Sequence, residues 1–117
     1  MFQVTFSNQS MNEVNKLDKL EQLDLIGVFS SLTAEQLAHP KGDLNAFNRA
    51  GKTVYRMRVG DWRIYFERVG DDILHALFLM HKHSIMDFIY RSKLPFNEEA
   101  VLEKDDNFWK YLETLKK

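Results

Sequence analysis

At 117 residues, with 44% hydrophobic and 28% charged side chains, the chain is long enough to bury a core without metal or disulfide support, and its composition excludes a disordered or low-complexity protein. It contains no cysteine, which excludes a disulfide framework and a zinc–thiolate site. The net charge of −1 is unevenly spread: residues 1–40 hold 2 basic and 5 acidic side chains, residues 41–93 hold 10 and 6, and residues 94–117 hold 4 and 6.

The start, MFQVTFSNQS, has neither the basic nor the apolar region of a signal peptide, and no apolar run approaches the roughly 18 residues of a membrane span. A soluble, cytoplasmic protein without a membrane partner is therefore expected. Phe2 to Phe6 alternates apolar and polar residues, the period of a short strand. Ser7 or Ser10 is a cap for one helix over about 11–26, in which Met11, Val14, Leu17, Leu20 and Leu23 recur every third residue and Gly27 supplies the stop. Thr33 and Gln36 have the spacing of a capping box, with Leu32 and Leu37 as its hydrophobic staple, and Pro40 limits this second helix.

The segment KGDLNAFNRAGK, residues 41–52, reads as a loop with Leu44 and Phe47 as apolar anchors. Strands are expected over 53–59 and 62–69, joined by Gly60-Asp61 in a type II′ turn, and a third over 73–80 after Gly70-Asp71-Asp72. The third is apolar on both faces apart from His75, as a central strand would be. Ser84 is a cap for a short helix through Tyr90. Asn97, with Phe96 and Val101, caps another, and Asp105 or Asp106 opens a last one with Phe108, Tyr111, Leu112 and Leu115 on one face. Consecutive strands joined by tight turns pair antiparallel, so the fold class is α+β in one domain over 1–117.

A turn at Gly60-Asp61 fixes the hairpin register. Val59 opposes Trp62, Met57 opposes Ile64 and Tyr55 opposes Phe66, which makes one face wholly apolar and assigns it to the core. The other face carries Arg58 opposite Arg63 and Arg56 opposite Tyr65. Like charges directly across a ribbon repel, so a polyanion or a carboxylate from elsewhere is expected to complete this face. His81 and His83, two apart, are suited to acid–base work near neutral pH, whereas two histidines without a third ligand are poor evidence for zinc. A two-residue turn at Gly70-Asp71 would send Lys82 to the basic face, and a three-residue turn would send His81 and His83.

The string Arg56-x-Arg58-x-Gly60-Asp61-Trp62-Arg63-Ile64-x-Phe66, preceded by two helices and followed by an apolar strand ending in His81-Lys82, resembles the RelE/ParE superfamily of toxin–antitoxin toxins over roughly residues 1–93. The resemblance implies an N-terminal strand and two helices packed on an antiparallel sheet, with residues 94–117 as an additional C-terminal helical extension. It implies a toxin that cuts mRNA in the ribosomal A site by attack of a 2′-OH on the adjacent phosphate. Alternatives are a ParE-like inhibitor of a protein target such as DNA gyrase, or a catalytically degenerate member. Arg56, Arg63 and Lys82 match the family's basic catalytic positions, His81 and His83 are candidates for general acid, and Arg58, Tyr65, Tyr90 and Arg91 are expected to bind substrate. Phe88 stands at the spacing of the family's helical tyrosine, with Tyr90 two residues on. Expected partners are a cognate antitoxin, the ribosome and mRNA, with neither cofactor nor metal. The terminal helix would cover the sheet, pair with a partner or form a homodimer.

Overall fold

In the computed structural model, residues 2–93 and 98–115 are described. The elements in chain order are β1 (Gln3–Phe6), α1 (Asn8–Asn15), α2 (Lys19–Ser30), α3 (Ala34–Ala38), β2 (Leu44–Arg49), β3 (Lys52–Val59), β4 (Trp62–Val69), β5 (Ile73–His81), α4 (Lys82–Ser92), α5 (Glu99–Leu102) and α6 (Asp106–Thr114). The strands form one sheet in the order β1-β5-β4-β3-β2. All neighbours are antiparallel except β1, which runs parallel to β5.

The helix expected over 11–26 is two helices. Ser7 caps α1 by accepting from the Ser10 amide, but α1 ends at Asn15, and the Asp18 carboxylate accepts from the Glu21 amide at 2.8 Å to start α2 afresh. That second cap breaks the every-third-residue stripe. Leu20 and Leu23 consequently face solvent, while Leu25 and Phe29 go inside, and α2 runs through Gly27 to Ser30. The capping box of Thr33 and Gln36 forms as its spacing predicts, and Leu32 and Leu37 are both buried in the same core.

The expected loop at 41–52 is instead mostly strand β2. Asn45 and Asn48 mask its alternation, and a hairpin turn at Ala50-Gly51 places both residues at positive φ, 52° and 79°, the geometry that turns one twisted strand tightly into the next. The β3–β4 register is the expected one, with Gly60 at φ 58°. The β4–β5 register follows neither simple alternative alone. A three-residue turn sets Val69 opposite Ile73, and then a bulge at Leu77 shifts the ladder, so that Phe66 faces Ala76 but Tyr65 faces Phe78. Met80, and not Leu79 as the three-residue turn alone would have it, therefore lies opposite Arg63. His81, and not Ser84, caps α4: its Nδ1 accepts from the His83 amide. Asp105 caps α6. Asn97 and its expected staple partner Phe96 lie outside the described residues.

Both faces of the sheet are covered. On one, α1 and α2 seal Ile64, Phe66, Leu74 and Leu79 around Phe29, whose ring stands edge-on to Phe66 at 5.1 Å. On the other, α4, α5 and α6 bring Ile85, Ile89, Leu102, Phe108, Trp109 and Leu112 onto Val54, Tyr65, Phe78 and Met80. The face that carries the arginines is thus a second core, covered by the terminal helices.

Candidate functional site

Arg56 lies at the centre of that second core and is 2% exposed. Its Nε donates to Glu103 Oε2 at 3.1 Å, its Nη2 to Oε1 at 3.3 Å, and its Nη1 to the Asp43 carbonyl at 2.8 Å. Tyr65, directly across the ribbon, donates its hydroxyl to Glu103 Oε2 at 2.7 Å. Burial, followed by the adjacent Glu103 charge, holds the Tyr65 phenol well above its ordinary pKa of 10.0. Trp109 Nε1 donates to the Glu103 carbonyl at 2.7 Å, tying α6 to the same residue. Burying Phe108, Trp109 and Leu112 contributes about 5–9 kcal/mol before the entropy of ordering is subtracted. Arg56 and Tyr65 are therefore held inside the protein by an anchored helix and do not meet an external ligand in this conformation.

Arg58 and Arg63 are placed differently. They face each other across β3 and β4 near the Gly60-Asp61 turn, toward the margin of the second core. Arg63 Nε donates to Glu99 Oε1 at 2.7 Å and its Nη1 to the carbonyls of Gly60 and Trp62. Arg58 Nη2 is 3.6 Å from Glu99 Oε2, and Arg58 Nε is buried with no hydrogen-bond partner among the described residues. One carboxylate thus serves two guanidinium groups.

The β5–α4 junction arrives at the same turn. The Lys82 amide donates to the Asp61 carbonyl at 2.8 Å, and Lys82 Nζ lies 3.1 Å from Asp61 Oδ1. The side-chain hydrogen bond from Lys82 Nζ and then the Lys82 charge hold the Asp61 carboxyl below its ordinary 3.8. His81 meets the Trp62 ring edge-to-face at 5.0 Å, and the His83 ring stacks on it at 4.8 Å. Because His81 Nδ1 accepts the capping hydrogen bond, the neutral ring is assigned its proton on Nε2. Lys82, His81 and His83 therefore cluster about the Gly60–Trp62 turn near Arg58 and Arg63, but His81 shares the Trp62 face of the sheet and not, as a three-residue turn alone would have it, the face of the two arginines. A neighbouring cleft of about 280 Å³ is lined in part by Glu21, Asp24, Asp61, Trp62 and His81, so His81 borders an acidic wall.

Tyr90 and Arg91 stand apart from this cluster. Tyr90 is 84% exposed, and Arg91 pairs with Asp87 one turn back on α4. Phe88 packs into the second core, stacked on Tyr111 at 4.6 Å. Glu99 and Glu103, which decide how available the arginines are, were not singled out by sequence reasoning. Their one legible signal is a pair of carboxylates four apart just before the aromatic helix, in a chain whose strand arginines lacked partners. Among the described residues no group of three or more His, Asp or Glu side chains is disposed to hold a metal, and no helix is long and apolar enough to cross a membrane.

No protein-family model and no curated protein matches the chain. Among solved structures it is similar to a chain of the archaeal RelE–RelB complex from Pyrococcus horikoshii OT3, with a TM-score of 0.56 and 22% identity over 69% of this chain and 94% of that one. A chain of the toxin–antitoxin complex RelBE2 from Mycobacterium tuberculosis aligns at a TM-score of 0.46 and 16% identity, over 68% of this chain and 96% of that one. About a third of the present chain lies beyond the archaeal match, which spans nearly all of the other chain. With its five-stranded sheet and the helices packed upon it, the chain has the RelE-like fold.

Proposed function

We propose that this protein is the toxin of a toxin–antitoxin pair, restrained by a cognate antitoxin and acting on mRNA as a ribosome-dependent interferase. The observation that carries the reading is the gathering of Arg58, Arg63, Lys82, His81 and His83 around one turn of a RelE-like frame, in a chain of net charge −1. Attack of a 2′-OH on the neighbouring phosphate forms the O2′–P bond and breaks the P–O5′ bond, concentrating charge on the phosphoryl oxygens. Fixed cations at the edge of a dry core stabilise that charge strongly. The two arginines suit bidentate contact with phosphate oxygens, and Lys82 supplies a point charge. The 2′-OH proton passes to solvent, and His83 in its imidazolium form, stacked on the neutral His81 ring, gives a proton to the departing 5′-oxygen and returns to neutral imidazole. Arg56 and Tyr65 support the frame in this reading and take no part in the chemistry.

Induced expression should halt growth and translation and create new mRNA 5′ ends, and Arg63→Ala should abolish the new ends while leaving a folded protein. Harmless expression without any antitoxin overturns the toxin reading. A second reading, a catalytically silent family member, is favoured by one observation: carboxylates of the chain itself already occupy Arg56, Arg58 and Arg63. It predicts no new ends and no effect of Arg63→Ala on growth. Growth arrest with unchanged mRNA ends would instead indicate a protein target of the ParE kind.

A further inference from the structure

We propose that Glu99 is a tethered competitor for phosphate, an internal anion occupying the Arg58–Arg63 pair until a polyanion displaces it. The inference rests on the proposed RNA-directed role of that pair and specifies how the pair is regulated.

The two carboxylates of the terminal segment are held in very different ways. Glu103 is fully buried and accepts from Arg56 and Tyr65, and its backbone carbonyl accepts from Trp109. Arg56 in turn has all its nitrogens within hydrogen-bond reach of Glu103 or the Asp43 carbonyl. Among the described residues the Glu99 carboxylate pairs only with Arg58 and Arg63, and one of these contacts is long, at 3.6 Å. Among the described residues the carboxylate leaves one positive charge unbalanced and Arg58 Nε without a hydrogen-bond partner. A phosphate, with more acceptor oxygens and a geometry suited to two forks, satisfies both guanidinium groups better than a single carboxylate.

The segment is also built to release at this end. Glu99 opens α5, a single helical turn whose N-cap, Glu98, makes no side-chain capping bond, and Val101 is exposed. Leu102 and Glu103, three and four residues on, are fully buried. Displacing the Glu99 side chain therefore leaves the Glu103 anchor and α6 in place, so that the arm yields without unfolding the second core.

The test is binding of a fluorescent decauridine oligonucleotide to the full-length protein, followed by anisotropy across a salt series. Glu99→Gln should tighten binding by about tenfold and steepen the dependence of log Kd on log salt by about 0.7, the increment for one more phosphate contact on a single strand. Glu98→Gln removes the same charge one residue away and should leave both quantities unchanged. Glu99→Asp, which keeps the charge but withdraws it by one methylene, should give a smaller gain and serves as the second variant if the amide disturbs folding. Adding Arg58→Ala to Glu99→Gln should remove the gain. The inference is overturned if folded Glu99→Gln and Glu99→Asp bind as wild type does, if Glu98→Gln gains equally, or if the gain survives Arg58→Ala. Because the assay reads affinity alone, a harmless protein in which Glu99→Gln still tightens binding refutes the toxin reading and leaves the competitor intact.

Discussion

The two faces of the sheet solve one packing problem with different materials. Beneath α1 and α2 the side chains are nearly all hydrocarbon and aromatic, with Ser10 as the buried polar residue on that side. Beneath α4, α5 and α6 an equally closed core contains a guanidinium, a carboxylate and a phenol bonded to one another. Hydrocarbon tolerates approximate placement. A buried ion pair does not, because a charge left in the core without its partner costs several kcal/mol, whereas the complete network does little more than offset its own desolvation. The second face is therefore specified by pairing as well as by volume, and its solvent-side margin, where Arg58 and Arg63 share Glu99, is where pairing is incomplete.

The sharpest test of this contrast is Glu103→Ala, expected to cost about 3–5 kcal/mol in urea unfolding, because Arg56 and the Tyr65 hydroxyl both lose their buried acceptor. The double replacement Arg56→Met with Glu103→Leu should recover most of that loss, as removing both charges often does. Failure to recover would mean the carboxylate has a role beyond neutralising the guanidinium. On the hydrocarbon face, Phe29→Ala should cost a comparable 3–5 kcal/mol, through a cavity instead of an orphaned charge. No single polar partner could then rescue it.

Tyr65→Phe should cost less, about 1–2 kcal/mol, since Glu103 retains Arg56. It also carries a pH signature. The folded protein holds the phenolic proton more tightly than the unfolded chain, so this contribution is complete below about pH 10 and fades as pH rises through the folded value. Unfolding midpoints should fall in the alkaline range more steeply for wild type than for Tyr65→Phe. Smallest of all is Asp61→Asn at the exposed turn. Its carboxyl is held below 3.8 chiefly by the hydrogen bond from Lys82, so its contribution is present above that pH and lost as pH falls through the lower folded value. Thermal melts should place the variant slightly below wild type at neutral pH, and the difference should close at acid pH.

Much of the hairpin was readable from local chemistry. Gly60-Asp61 fixed which residues of β3 and β4 face each other, and the Thr33–Gln36 box and the Asp105 cap are interactions among residues three or fewer apart. Misreadings arose where one local signal hid another. A continuous stripe from Met11 to Leu23 concealed the cap at Asp18, and asparagines concealed the alternation of β2. The bulge at Leu77 had no signal in the sequence, because a doubly buried strand is apolar at every position and its register cannot be inferred from which residues are apolar.

The candidate site divides in the same way. His81, Lys82 and the arginines were legible as chemistry-bearing residues, and the expectation that a carboxylate from elsewhere would complete the arginine face anticipates Glu99 and Glu103 in kind but not in identity.

Unaided, the order of residues determined the element types around the central hairpin, the pairing of Arg58 with Arg63 and the separation of apolar from basic positions along it, since these follow from steric and hydrogen-bonding rules acting over a few residues. Only the tertiary structure decided that the basic face is interior, that Glu103 neutralises Arg56 from 47 residues away, and that Arg58 and Arg63 remain at the margin. The physical reason is that alternation divides a strand into two faces without stating what covers either. Whether a guanidinium meets water, phosphate or a carboxylate depends on which distant segment finds enough apolar surface to dock there.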